Sequence, residues 1–227
     1  MRFLLDLTSR RTTRLLAASA LLLGVGGATM AASSASAAAC DPTAFAQTCS
    51  MTGTATVTAG TLGVEAPATQ TWPFQLDGTN LQVADAGDAS FTVQDATGSG
   101  SGWNVTATAT QFTIGATTTV LANAGTLVFN GSTTAEGTGA TPGSACVVAL
   151  TCTLPTPSVT YPVDLTTGAA VTPVSIYNAA LATGLGNIDI GGTGNPAAWW
   201  VNVPSIAAPG AYASQITLAI NSGPTGT

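Results

Sequence analysis

Asp85, Asp88 and Asp95 are the residues best placed to do acid–base chemistry, since the first two flank Gly87 and the third follows in the next strand-like stretch. Two carboxylates can cleave a glycosidic bond, one as acid and one as base or nucleophile. Oxygen ligands of this kind also suit Ca²⁺, although the spacing fits no EF-hand loop. Turn aspartates that bond their own backbone and stay solvated give the simpler reading, and it is the one adopted: no catalytic residue, no metal and no cofactor. The rest of the composition supports it. The chain has no His, so neither a Ser-His-Asp nor a Cys-His arrangement can be built, and it has no lysine to act as a base. The expectation is a protein that is not an enzyme.

Binding chemistry falls to Trp72, Trp103, Trp199 and Trp200. An indole offers a large apolar face with a polar handle and can stack on a sugar ring. Trp103 opens an apolar strand face and is expected in the core. Trp199 and Trp200 are adjacent on a strand candidate, so they must point to opposite faces. One of them leaves the inner core, either as a ligand platform or packed under a loop. Asp95 is expected to hydrogen-bond the backbone of the glycine-rich turn at residues 98–102 and so position Trp103.

Cys40, Cys49, Cys146 and Cys152 form an even set and read as two disulfides in an exported chain. Three pairings are possible, of which the local one, Cys40–Cys49 with Cys146–Cys152, is the simplest. A metal site lacks both the C-x-x-C spacing and the histidines.

Export is indicated by residues 1–39. Arg2, Arg10, Arg11 and Arg14 make a positive start, residues 15–25 an apolar run, and Ala35-Ser36-Ala37 and Ala37-Ala38-Ala39 are small-residue cleavage sites. Ser9-Arg10-Arg11 leaves both the general and the twin-arginine export routes open. All four basic residues lie in this segment, whereas nine carboxylates lie beyond it, from Asp41 to Asp189. The processed chain would therefore carry a side-chain charge of −9 with no cation. Nucleic-acid binding is not expected, because phosphate neutralisation needs Lys or Arg. Attachment to anionic lipid is not expected for the same reason.

The elements that must hold these residues read as strands. Thr and Val are abundant and glycines punctuate them. A period of two runs through Trp103-Asn104-Val105-Thr106-Ala107-Thr108-Ala109-Thr110. It runs again through Tyr212-Ala213-Ser214-Gln215-Ile216-Thr217-Leu218-Ala219-Ile220, where Tyr212, Ile216, Leu218 and Ile220 share a face. Further strands are predicted at 52–58, 72–76, 90–94, 117–121, 126–130, 147–151, 157–162, 170–176, 187–190 and 199–203. Turn signals stand between them, among them Asp77-Gly78, Asn130-Gly131 and Pro209-Gly210. Residues 176–183 are the one helical suspect, and residues 131–144 read as a loop or insertion. Many short strands with frequent turns predict an all-β, antiparallel β-sandwich of Ig-like, Greek-key type. Residues 40–227 are expected to form one domain behind the export signal.

The run Asp95-Ala96-Thr97-Gly98-Ser99-Gly100-Ser101-Gly102-Trp103-Asn104-Val105 resembles the WxL domain of Gram-positive surface proteins, closest to its actinobacterial WxL-like branch. That family has an Asp, a Gly-rich turn and Gly-Trp-x-Leu opening a strand, then a second signature near the C-terminus. The later matches are Tyr177-Asn178-Ala179-Ala180 leading to Gly184-Leu185-Gly186, then Trp199-Trp200-Val201-Asn202-Val203-Pro204, Ala208-Pro209-Gly210-Ala211-Tyr212 and Ile216-Thr217-Leu218-Ala219-Ile220. This chain has Trp103-Asn104-Val105 at the first tripeptide and Leu218-Ala219-Ile220 where the family has Trp-x-Leu. The resemblance implies that Asp95, Gly102, Trp103, Asn104, Val105 and Tyr212 are motif residues of the fold. It also implies a secreted protein held non-covalently on the peptidoglycan-containing cell wall. The alternative is a structural or assembly subunit that pairs with other surface proteins through strand edges left unguarded by lysine.

Overall fold

A computed structural model describes residues 53–115, 121, 127–147, 151–168, 171–192 and 194–224. The chain divides into residues 1–56 and 57–227, and the thirteen described strands all lie in the second unit. The export segment, Cys40 and Cys49, the strand predicted at 117–121 apart from Leu121, and residues 148–150 of the strand predicted at 147–151 lie outside the described residues.

The fold is all-β and antiparallel, and no helix occurs among the described residues. One sheet has the order β1 (Leu62–Glu65), β3 (Phe91–Asp95), β10 (Gly186–Ile190), β7 (Ser144–Cys146). A second has the order β2 (Leu81–Ala84), β11 (Ala198–Val203), β6 (Leu127–Asn130), β8 (Val163–Leu165). A third has β13 (Ile216–Ser222), β4 (Trp103–Ala109), β9 (Val174–Ala179), and a small ribbon joins β12 (Tyr212–Ala213) to β5 (Thr113–Ile114). The arrangement is that of a β-sandwich, with no closed barrel.

One core draws on the three larger sheets. Phe91, Val93, Ile188 and Ile190 enter it from the first, Leu127, Phe129, Trp199, Val201 and Val203 from the second, and Trp103, Val105, Ala107 and Tyr177 from the third. Each set follows the alternation of its strand, which sends every second side chain to one face. On β9 the register slips against β4, so that Val105 faces Tyr177 while Thr106 faces Ser175. The extra residue of this bulge, Ile176, joins Tyr177 in the core. With no Lys, Arg or His beyond Arg14, burial, ladder hydrogen bonds and the Cys146–Cys152 disulfide carry the stability.

Several predicted elements change. Residues 72–76 and 157–162 are not strands; Pro73, Pro157 and Pro162 each remove a ladder donor. The described part of 52–58 makes no ladder either. The helical suspect at 176–183 is the end of β9 and a tight turn at residues 180–184, with Ala182 at φ 61°. Its alanines fit because the β9 backbone runs past Gly102. There a Cβ on Gly102 (φ 72°) would come within 2.3 Å of the Ala179 carbonyl oxygen. β1, β2, β5, β7 and β8 match no predicted strand, and β5, β7 and β8, at two or three residues, are too short to display a period.

Candidate functional site

Trp103, Trp199 and Trp200 do not offer a stacking face. Trp103 is fully buried, donates from Nε1 to the Gly184 carbonyl at 2.8 Å and stacks on Tyr177 with centroids 6.1 Å apart. Trp199 points into the core against Phe129, 4.7 Å between centroids. Trp200 points to the opposite face, as adjacency on a strand requires, and packs with Val128 and Ala198. The loop after β6 seals it there: the Trp200 indole donates to Asn130 Oδ1 at 3.2 Å and to the Ser132 carbonyl at 2.8 Å. Under the same loop lies a buried carboxylate, Glu136, which accepts from Asn202 Nδ2 at 2.7 Å and from Gln82 Nε2. All three are packing residues in this fold, Trp103 and Trp199 in the core and Trp200 under a loop, and burial leaves none of them a face for a ligand.

The motif residues around Trp103 assemble into a structural unit. Asp95 is buried, and its Oδ1 accepts from the Thr97 amide at 3.0 Å and hydroxyl at 2.6 Å. The side chains of Thr97, Ser99 and Ser101 continue the line, Thr97 accepting from the Ser99 amide and Ser99 from the Ser101 amide, and Ser101 Oγ reaches Ser222 Oγ at 2.9 Å on β13. Asp95 therefore reaches the backbone at Thr97, just before residues 98–102, and acts on the turn through a hydroxyl relay. Gly184 (φ 73°) sits against the ring: a Cβ there would lie 2.6 Å from Trp103 Nε1. Val105 pairs with Ile220 and Ala107 with Leu218 across β4 and β13. Asn104, on the polar face of β4, is buried and donates to Ser175 Oγ at 2.5 Å.

Trp72 is different. With Tyr212 it lines an open groove of about 820 Å³. One wall is the extended segment from Gln70 to Leu76, with Phe74 40% exposed. The other is the stretch from Ala207 to Ser214, and Phe112 and Val201 lie between. No Asp or Glu lines it. Trp72 packs edge-on against Phe112, 5.7 Å between centroids, and its Nε1 donates to the Trp199 carbonyl at 2.9 Å. The second wall is bent by Pro209-Gly210 and fixed where Tyr212 Oη donates to the Ala208 carbonyl at 2.9 Å and Tyr212 pairs with Ile114. The amide of Gln75 and the hydroxyl of Thr71 give the rim hydrogen-bonding capacity, while Gln70 Nε2 donates to the Asp88 carbonyl and Ser214 Oγ to the Thr110 carbonyl. An apolar, aromatic-lined groove with a few polar groups is the usual form of a small-ligand site.

Asp85 directly follows β2 and is not a solvated turn residue. It is buried, and its Oδ1 accepts from the Trp199 amide at 2.8 Å while its own amide donates to the Trp199 carbonyl at 2.8 Å. Its Oδ2 is buried without a hydrogen-bond partner. Burial raises its pKa, and the nearby Asp88 charge adds to that. Asp88 caps the turn by accepting from the Ser90 amide at 2.9 Å. Among the described residues, no three His, Cys, Asp or Glu side chains gather as a metal site. Asp85, Asp88 and Asp95 are separately employed: one on β11, one on its own turn, one on the hydroxyl relay.

Cys146 and Cys152 form a disulfide with Cα atoms 5.6 Å apart. Gln70, Phe74 and Gln75, which shape the groove, are not singled out by the sequence, and Pro209 enters there only as a turn signal and a motif residue. The signal was there in Trp72-Pro73-Phe74, where a proline between two aromatics exposes them together outside a ladder. Comparison of the chain with protein-family models, curated proteins and solved structures finds no match in any of the three.

Proposed function

We propose that this chain is an exported surface protein that holds the cell wall non-covalently, without chemistry on it, and that wall glycan is contacted in the Trp72–Tyr212 groove. The observation that carries the reading is the groove itself: aromatic, open and free of charge in a chain rich in carboxylates. A sugar ring is neutral, presents an apolar face that an aromatic ring can cover, and carries hydroxyls for amides and hydroxyls at a rim. Anionic ligands would meet nine carboxylates and no side-chain cation beyond Arg14. The resemblance to WxL-like surface proteins supports the same location and partner.

The test is co-sedimentation of the purified protein with peptidoglycan sacculi. Phe74→Ala, on a side chain 40% exposed, is expected to weaken binding about tenfold, equivalent to about 1.4 kcal/mol, with an unchanged melting temperature. Trp72→Ala is expected to weaken it further. No soluble sugar should be released from the sacculi. A wild-type protein that stays in the supernatant and self-associates by light scattering would instead identify an assembly subunit.

A further inference from the structure

We infer that Asp85 is the positioning residue of the groove: through the Trp199 backbone it holds the Trp72 indole in the wall, in a way that depends on its charge. The inference rests on the groove being the binding site, but its first test does not.

The geometry is a short relay. Trp199 and Asp85 would be the next antiparallel pair after Trp200 and Ala84. In a regular pair the Trp199 amide would donate to the Asp85 carbonyl. Here it donates to the Asp85 side chain at 2.8 Å. The backbone after Asp85 turns away, and the Ala86 amide donates to the Thr71 carbonyl at 2.8 Å. That bond brings the 70–76 segment across the end of the sheet. The Trp199 carbonyl then accepts two donors, the Asp85 amide at 2.8 Å and Trp72 Nε1 at 2.9 Å. One aspartate therefore fixes both the peptide that Trp72 bonds and the turn that delivers Trp72.

The arrangement is costly in a way a purely structural residue would avoid. Asp85 Oδ2 is buried with no partner, and Asn at this position would keep an acceptor for the Trp199 amide without a buried charge. What the ionised form adds is strength, since a hydrogen bond to a carboxylate is about twice as strong as a neutral one. The segment from Gln70 to Leu76 and β11 carry no titratable side chain. The charge that bears on Asp85 is that of Asp88, which also influences Asp189. Protonation weakens the acceptor at Oδ1 and loosens Trp72, while relieving the buried charge. Groove order and fold stability should thus move in opposite directions as pH falls.

The experiment follows the Trp72 indole N–H resonance of the purified protein from pH 7.5 to 4.5, assigned by its loss in Trp72→Phe. In the wild type it should shift and exchange faster at acid pH along one titration. In Asp85→Asn it should stay near its neutral-pH position throughout. In Asp85→Ala it should be displaced at every pH. An unchanged titration in Asp85→Asn, or an undisplaced resonance in folded Asp85→Ala, overturns the inference. If Asp85→Ala does not fold, the Asn variant still decides it. A second arm repeats sacculus sedimentation at pH 7.5 and 4.5. Binding should fall at least fivefold at acid pH in the wild type and less than twofold in Asp85→Asn; equal falls in both contradict the inference. If the wild type binds no sacculi at any pH, the glycan reading fails, and the resonance still decides the role of Asp85.

Discussion

Trp103 and Trp72 have the same side chain and opposite fates, and their neighbours set the difference. Trp103 is enclosed by Tyr177, Ala179 and Gly184 with its one donor satisfied, so Trp103→Ala should cost about 3–5 kcal/mol by cavity formation. Gly184→Ala should also be destabilising, since the new methyl meets the indole and the backbone is in the left-handed region at φ 73°. Denaturant melts of both variants check this, and a midpoint unchanged in either would contradict the packing described. The sequence made Trp103 legible, because it opens a strict alternation after a glycine turn. It did not make Trp72 legible as a groove wall, because the partner wall lies more than a hundred residues away, at Tyr212. Asp85 was illegible for a related reason: its burial depends on β11 lying alongside, which no local pattern announces.

At the scale of elements, β4, β6, β10, β11 and β13 could be read from alternation or apolar runs bounded by turns. β1 and β2 could not, since they gain their identity only from β3 and β11. The short edge strand β7 is pinned by the Cys146–Cys152 bond, and the chain beyond it returns at the Thr153–Leu185 bridge, just before β10. A disulfide closing so short a loop should contribute about 2–3 kcal/mol in the chain-entropy model. The double substitution Cys146→Ser with Cys152→Ser is expected to lower stability by that amount. Because the groove is built from other segments, sacculus binding should persist in this variant at temperatures where it remains folded. Thermal melts and sedimentation of the same sample measure both.

At the scale of the molecule, the excess of carboxylates over cations dominates the expected response to pH. Asp85 and Asp189 are raised above the ordinary carboxylate value of 3.8, mainly by burial and further by Asp88. Between that value and their raised folded values the native state holds more protons than the unfolded chain, so their effect on stability falls as pH rises through this window. Asp77 opposes them, its carboxyl lowered by bonds from Thr79, but it is fully exposed and solvent screens it. Repulsion among unpaired carboxylates adds to the first trend. The melting temperature should therefore rise as pH is lowered from neutral toward 3.8, and Asp85→Asn should flatten the rise. A melting temperature that drops steadily as the pH is lowered over this range would contradict it.

The central claim is that glycan meets the protein at one uncharged aromatic groove. The most direct measurement is a map of amide and indole shifts on adding soluble glycan strands released from peptidoglycan. Shifts concentrated in residues 70–76 and 207–214, and lost in Phe74→Ala, are the expected result. Shifts confined to the edges β2 and β7, or no saturable shift at millimolar glycan, would contradict it.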